Sequence, residues 1–165
     1  MGEYLIVLVN RESARFFTLE PVDFPELESG PRMVSCKDLE NPECKMAAQD
    51  MYTDSKTGRG AAPQGGSVHG YDDKRDQHLD ELRRRFAVKV IAQIRQLTKS
   101  KGTRTIVLAA SARMRRFVYP ELEILSKAGF KIHKISKNMI NFSPAKIHEY
   151  LAEAGIIPQK KRVPA

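Results

Sequence analysis

The residues of this sequence that are best suited to chemistry are arginines and lysines, and most of them lie in its second half. Residues 1–71 contain 7 Lys/Arg and 11 Asp/Glu, whereas residues 72–165 contain 21 Lys/Arg and 9 Asp/Glu. A region with such an excess of cations attracts polyanions and favours contacts with phosphate groups. Nucleic acid and an anionic membrane surface are therefore the candidate partners, and a basic surface that only aids solubility is the alternative.

The candidate binding residues lie on two predicted helices, and they form one patch if these helices share a face. Aromatic residues are few, with no tryptophan in the chain, which disfavours binding by base stacking. The pattern therefore predicts contacts with phosphate and with nucleic-acid shape, and an affinity that falls steeply with salt. The six candidate residues are Arg83, Arg84, Lys89, Arg113, Arg115 and Arg116.

Acidic residues and histidines form no pattern that indicates an active site. A two-metal nuclease needs several carboxylates on adjacent strands, but the predicted strands end in Val9-Asn10 and Ala109-Ala110, and Glu81 is alone. No histidine has a serine or cysteine partner at a recognisable spacing, and no Gly-x-Gly-x-x-Gly motif follows a predicted strand. The sequence therefore favours a binding protein over an enzyme and implies no metal and no other cofactor.

The strands that position the basic residues follow from the spacing of apolar side chains. Continuous aliphatic runs at 4–9 and 105–109 predict two strands that are buried on both faces. A turn at residues 10–12 joins the first of them to the next in a hairpin. Further strands are predicted at residues 14–19, 32–37 and 130–135.

Three helices are predicted in the basic half. A long helix follows Asp72-Asp73 and ends at Gly102, because apolar residues recur at spacings of three and four. Two shorter helices run from Ser111 to Ala128 and from Ser143 to Ala154, with serine at each start and glycine after each end. The stripe of the long helix consists of Leu79, Leu82, Phe86, Val90, Ile94 and Leu97.

Glycine and proline mark the connecting segments. Residues 53–71 are rich in glycine and nearly free of large apolar side chains, which predicts a flexible loop. Residues 42–51 predict a short helix with proline in its first turn, and residues 158–165 predict a disordered basic tail. We therefore expect a single domain over residues 1–157.

The order of these elements predicts the fold class. A three-strand antiparallel meander followed by β-α-β units favours an α/β fold with a mixed sheet and helices on its faces. This is the layout of ribonuclease H-like folds.

Short motifs over residues 3–154 connect the sequence to a known family. They are Ser13-Ala14-Arg15-Phe16-Phe17 after the first strand, Asp38-Leu39 before Asn41-Pro42-Glu43, His78, Arg85-Phe86-Ala87, the strand Ile106–Ala109, and Phe142-Ser143-Pro144. Together with the glycine-rich loop, they resemble the bacterial host-attachment protein family, whose members are described as required for attachment to host cells. The pattern is also similar to the middle domain of eukaryotic and archaeal peptide release factors.

The release-factor resemblance places a possible reactive tip in the glycine-rich loop. Those factors carry Gly-Gly-Gln before their long helix, and the glutamine orients the water that hydrolyses peptidyl-tRNA. The loop here reads Pro63-Gln64-Gly65-Gly66-Ser67, with the glutamine before the glycines. The resemblance implies Gln64, Gly65 and Gly66 as the catalytic residues of a hydrolase, but this altered order favours binding. Lys137-Asn138 stands where members of the host-attachment family tend to carry Lys-Asp, so any role of the family's aspartate is not expected for this chain.

The leading hypothesis is a non-enzymatic protein that binds RNA or the ribosome, with tRNA among the candidate partners. Peptidyl-tRNA hydrolysis in ribosome rescue and direct attachment at the cell surface are the alternatives. The longest apolar run is only strand-sized, and the N-terminus lacks the pattern of a secretory signal. We therefore expect a cytoplasmic protein without a transmembrane segment, and the sequence leaves its oligomeric state open.

Overall fold

A computed structural model describes residues 4–42 and 66–161 of the chain, with the backbone alone for residues 66–73. Within these residues the protein is α/β, with six strands and three helices. The strands are β1 (Tyr4–Val9), β2 (Ser13–Glu20), β3 (Arg32–Ser35), β4 (Leu39–Glu40), β5 (Thr105–Ala110) and β6 (Lys131–Ile135). The helices are α1 (Gly66–Lys101), α2 (Ala112–Lys127) and α3 (Pro144–Glu153). The helix predicted for residues 42–51 lies, from residue 43 onward, outside the described residues.

The strands form one open mixed sheet in the order β3-β2-β1-β5-β6, and β4 pairs with the start of β2. β1 is antiparallel to β2 and parallel to β5, so Val7 lies between Phe16 and Leu108. β5 and β6 are parallel and are connected through α2. The predicted change from antiparallel to parallel pairing is confirmed. β4 was not predicted.

The central strands are buried on both faces because helices cover each side of the sheet. On one face, Leu5 and Val7 of β1 pack with Phe86 and Ile94 of α1 and with residues of α2. On the other face, Ile6 and its neighbours pack against α3 and the segment before it. Alternate side chains of a strand point to opposite faces, so an unbroken apolar run is what a central strand of this layered fold requires.

The predicted helix ends agree with the structure at α2 and α3 and differ at the start of α1. Gly102 and Gly129 follow α1 and α2 with φ of 68° and 101°, a conformation that glycine adopts without steric cost. α1, however, begins at Gly66, so residues 66–71 belong to the helix and not to the predicted loop. Glycine makes a helix less favourable by only about 1 kcal/mol relative to alanine, so two glycines near its start do not forbid it.

Residues 158–161, the first part of the predicted disordered tail, contact the fold, and residues 162–165 lie outside the described residues. Lys161 exchanges two backbone hydrogen bonds with Gly30, with N–O distances of 2.9 and 3.2 Å. Pro158 is held as well, because its carbonyl oxygen lies 2.9 Å from Nε2 of the buried His148. Since a carbonyl can only accept, His148 donates this bond. Residues 158–161 thus pack against the fold through contacts that a polar sequence does not reveal.

Candidate nucleic-acid interface

The two basic helices lie side by side on one face of the sheet, and a shared carboxylate joins them. Asp80 of α1 accepts hydrogen bonds from Arg83, at 2.8 Å, and from Arg116 of α2. The Arg83 side chain is only 8% exposed, whereas the Arg116 side chain is 65% exposed. Arg83 therefore lies beneath the surface that it was predicted to form, and Arg116 lies on it.

Arg84 and Arg116 converge on the ring of Phe117. Their Cζ atoms lie 5.8 and 4.6 Å from the ring centroid, within the range of cation–π contacts. Phe117 itself is buried in the core between the sheet and the helices. A core residue thus holds two guanidinium groups from different helices close together at the surface. We call the exposed side of α1 and α2 around Phe117 the two-helix surface.

Glu81 is the second acid of this region, and it pairs with neighbouring arginines of its own helix. Its carboxylate lies 2.7 Å from Arg84 Nη1 and 3.4 Å from Arg85 Nε. These pairs are exposed and follow the usual spacings of three and four residues on a helix. Such contacts contribute only a few tenths of a kcal/mol, so they do not prevent either arginine from binding another anion.

The remaining predicted residues are placed differently around this surface. Arg113 is exposed and precedes Arg116 by three residues and Phe117 by four, so it lies on the same face of α2. Arg115 donates from Nε to the carbonyl of Ala110 at 3.1 Å, which fixes it near the end of β5. Lys89 is exposed but lies about 140° around α1 from Arg84, away from Phe117.

A shallow cavity continues the two-helix surface along α2. It has a volume of about 520 Å³ and is lined by Arg115, Arg116 and Tyr119, among others. The cavity therefore brings Arg115 next to Arg116, although the two side chains leave the helix in different directions. All six predicted residues lie on α1 and α2, and five of them have exposed or half-exposed side chains. Four of these five surround one region: Arg84, Arg113, Arg115 and Arg116.

Of the predicted reactive tip, only Gly66 lies within the described residues. Gln64 and Gly65 lie outside the described residues, and Gly66 is the first residue of α1, described by its backbone alone. Within residues 4–42 and 66–161, no three His, Cys, Asp or Glu side chains are grouped as a metal site requires. Glu81, which was predicted to be a surface acid without a second carboxylate beside it, has a side chain that is 45% exposed and pairs with Arg84 and Arg85.

Two contributors to this surface were not predicted, and one of them has a sequence signal. Asp80 precedes Arg83 by three residues, a spacing at which opposite charges on a helix meet. The burial of Arg83 also has a signal, because Arg83 lies four residues after Leu79 and three before Phe86, along the apolar stripe. The role of Phe117 depends on the packing of α2 against α1, which no local pattern reveals.

These features define an α/β protein with a mixed sheet, one face of which carries a basic pair of helices. The family model described as "Protein required for attachment to host cells" matches residues 5–151. The chain therefore belongs to this host-attachment family, as its motifs predicted. A search of curated proteins finds no match to the chain. No helix in the described part of the chain is long and apolar enough to cross a membrane.

Proposed function

We propose that this protein binds RNA, including the RNA of the ribosome, through the two-helix surface. The observation that carries the proposal is the convergence of Arg84 and Arg116 on Phe117. The guanidinium group is planar and can donate two parallel hydrogen bonds to one phosphate. Two such groups on adjacent helices, with Arg113 beside them, suit the regularly spaced phosphates of an RNA strand.

The ion pairs of the surface support this role because they can be exchanged at low cost. Asp80 is bonded to both Arg83 and Arg116. When Arg116 turns to a phosphate, Asp80 keeps the hydrogen bond from the buried Arg83, so no buried charge is left unpaired. Arg84 can leave Glu81 in the same way, since that pair is exposed and Glu81 also contacts Arg85.

The charge distribution also supports RNA as the partner. α1 contains nine Lys/Arg and five Asp/Glu, and α2 contains four Lys/Arg and two Asp/Glu. Both helices are thus net positive, and the field of such a surface raises the local concentration of a polyanion. The resemblance to release-factor middle domains, which act on tRNA in the ribosome, is part of the same proposal.

We also propose that the sheet is of the ribonuclease H-like type. The antiparallel order β3-β2-β1, continued by parallel β5 and β6, supports a ribonuclease H-like classification of the sheet.

No observation within the described residues favours peptidyl-tRNA hydrolysis or direct surface attachment over RNA binding, so we propose neither as a second function.

Binding of labelled tRNA and of ribosomes at ~50 and ~200 mM salt tests the proposal. The double variant Arg84→Gln/Arg116→Gln should weaken binding and reduce the salt dependence of log K by about 1.5, because two phosphate contacts are lost. Lys99→Gln/Lys127→Gln is the matched control, since it removes the same charge from exposed positions at the other ends of α1 and α2. Absence of wild-type binding at low salt, or equal losses in both variants, would refute the proposal.

A further inference from the structure

A second basic surface lies at the start of α3, on the opposite face of the sheet from α1 and α2. Nζ of Lys137 is 4.6 Å from the ring centroid of Tyr150 and 5.4 Å from that of Phe142. Nζ of Lys146 is 4.2 Å from the Phe142 centroid. The two rings meet edge to face with centroids 6.4 Å apart. We call Lys137, Phe142, Lys146 and Tyr150 the lysine–aromatic cluster.

Hydrogen bonds from outside the cluster fix its backbone. Arg15 of β2 donates from Nη1 to the carbonyl oxygens of Ile140 and Phe142, at 2.9 and 2.8 Å. The hydroxyl of Ser143 accepts from the backbone N–H of Lys146 at 3.2 Å and caps α3. The segment that carries Phe142 is thus tied to the sheet on one side and to the helix on the other, so the cluster is formed before any ligand binds.

The positive charge of the cluster is not neutralised by neighbouring acids. Within residues 4–42 and 66–161, neither Lys137 nor Lys146 forms an ion pair; their contacts are with the two rings. The acids of α3, Glu149 and Glu153, line a separate cleft that also contains Arg32. The two ammonium groups therefore converge on one aromatic pair and remain available to an anion.

The rings are also available, because Phe142 and Tyr150 are both half-exposed. A cation–π contact at an exposed site is weak, and base–aromatic stacking is stronger. A lysine can therefore leave a ring face for a phosphate, and a nucleobase can take its place. Lys137 lies two residues after the end of β6, and the carboxyl ends of parallel strands are where open α/β sheets bind ligands.

We infer that the lysine–aromatic cluster binds single-stranded RNA, with a phosphate between the two ammonium groups and a base stacked on the Phe142–Tyr150 pair. The inference rests on the proposed function and adds a second contact surface to it. It also assigns a selectivity, because the bases of a duplex are already stacked and cannot reach the rings. The sequence disfavoured stacking, but the fold brings together two half-exposed rings that the low aromatic content did not reveal.

Anisotropy measurements with a short fluorescein-labelled oligouridine and with a labelled RNA duplex test this inference. Lys137→Gln/Lys146→Gln should weaken oligouridine binding about tenfold at ~50 mM salt and reduce the salt slope by about 1.4. Phe142→Leu keeps the apolar bulk but removes the ring, and it should weaken oligouridine binding about tenfold. Tyr150→Phe keeps the ring and should bind as the wild type does. Duplex binding should be unchanged in all three variants.

The outcomes separate this inference from the proposed function. If Lys137→Gln/Lys146→Gln binds oligouridine as well as Lys99→Gln/Lys127→Gln, or loses duplex binding equally, the inference is wrong and the two-helix surface is unaffected. If phosphatidylglycerol vesicles compete with oligouridine and the lysine variant abolishes that competition, the cluster is a membrane contact and the inference is also wrong. If the wild type binds neither RNA, the proposed function fails and the inference fails with it.

Discussion

Asp80 and Arg116 connect the two basic helices through an ion pair that spans 36 residues of sequence. Because Asp80 also accepts from the buried Arg83, one carboxylate neutralises an arginine beneath the surface and positions an exposed one, Arg116, above it. The ion pair between Asp80 and Arg83 thus lies directly beneath the surface that we propose to bind RNA.

The first prediction concerns the loss of this carboxylate. Asp80→Asn keeps the shape of the side chain but leaves Arg83 buried without a counter-charge, so we expect the free energy of unfolding to fall by about 2 kcal/mol. Urea unfolding measures this change. Asp76→Asn, one turn earlier at an exposed position, should stay within about 0.5 kcal/mol of the wild type. Equal stability of the two variants would contradict the role given to Asp80.

The second prediction concerns Arg15. Arg15→Met removes the donors to the carbonyls of Ile140 and Phe142, so we expect a loss of about 2 kcal/mol in unfolding free energy. Weaker oligouridine binding should accompany it, because Phe142 is no longer held in place. Arg11→Met removes a half-exposed arginine that lies 4.0 Å from the carboxylate of Glu12, and it should change neither quantity. Unchanged binding in a destabilised Arg15→Met variant would show that the cluster does not depend on Arg15.

The third prediction concerns Gly30, which pairs with Lys161. A Cβ atom at this position would lie 2.6 Å from Cγ1 of Val22 and 2.9 Å from Cγ2. Gly30→Ala should therefore destabilise the protein by about 1–3 kcal/mol and speed tryptic cleavage after Lys160. In the background of Val22→Ala, which removes both methyl groups, the same substitution should cost less. Additive costs would mean that the close approach of Gly30 to Val22 is unimportant.

The fourth prediction concerns His148, whose hydrogen bond holds Pro158. His148→Leu keeps most of the volume but leaves the carbonyl of Pro158 without its donor, so we expect a loss of about 1–2 kcal/mol. Cleavage after Lys160 by trypsin, followed by mass spectrometry, should be faster than in the wild type. Glu149→Gln, at the next and exposed position, is the control and should be cleaved at the wild-type rate.

The elements that sequence predicts well are those whose burial pattern is continuous. β1 and β5 are unbroken aliphatic runs because both faces are covered, and the stripe of α1 spans several turns. β4 has only two residues, Leu39 and Glu40, which is too short for any periodicity. The start of α1 at Gly66 was missed because glycine makes a helix unfavourable without excluding it.

The candidate site was predicted in part for a similar reason. Composition indicated a basic half, and the predicted helices placed the candidate residues on two elements that form one patch only if they share a face. The contacts that build the surfaces are between residues far apart in sequence, such as Arg84 with Phe117 and Arg15 with Phe142. Tertiary packing decides these contacts, so composition and local periodicity cannot supply them.

The length of α1 determines how its start and its buried part unfold. Leu79 is the first residue of α1 that packs in the core among those whose side chains are described, and Gly66 lies about 20 Å before it along the helix axis. Amide hydrogens near the start of α1 should therefore exchange with solvent through fraying of the helix end, whereas those around Phe86 and Ile94 should exchange only when the whole fold opens. One helix should thus contain two classes of protection, with the boundary close to Leu79.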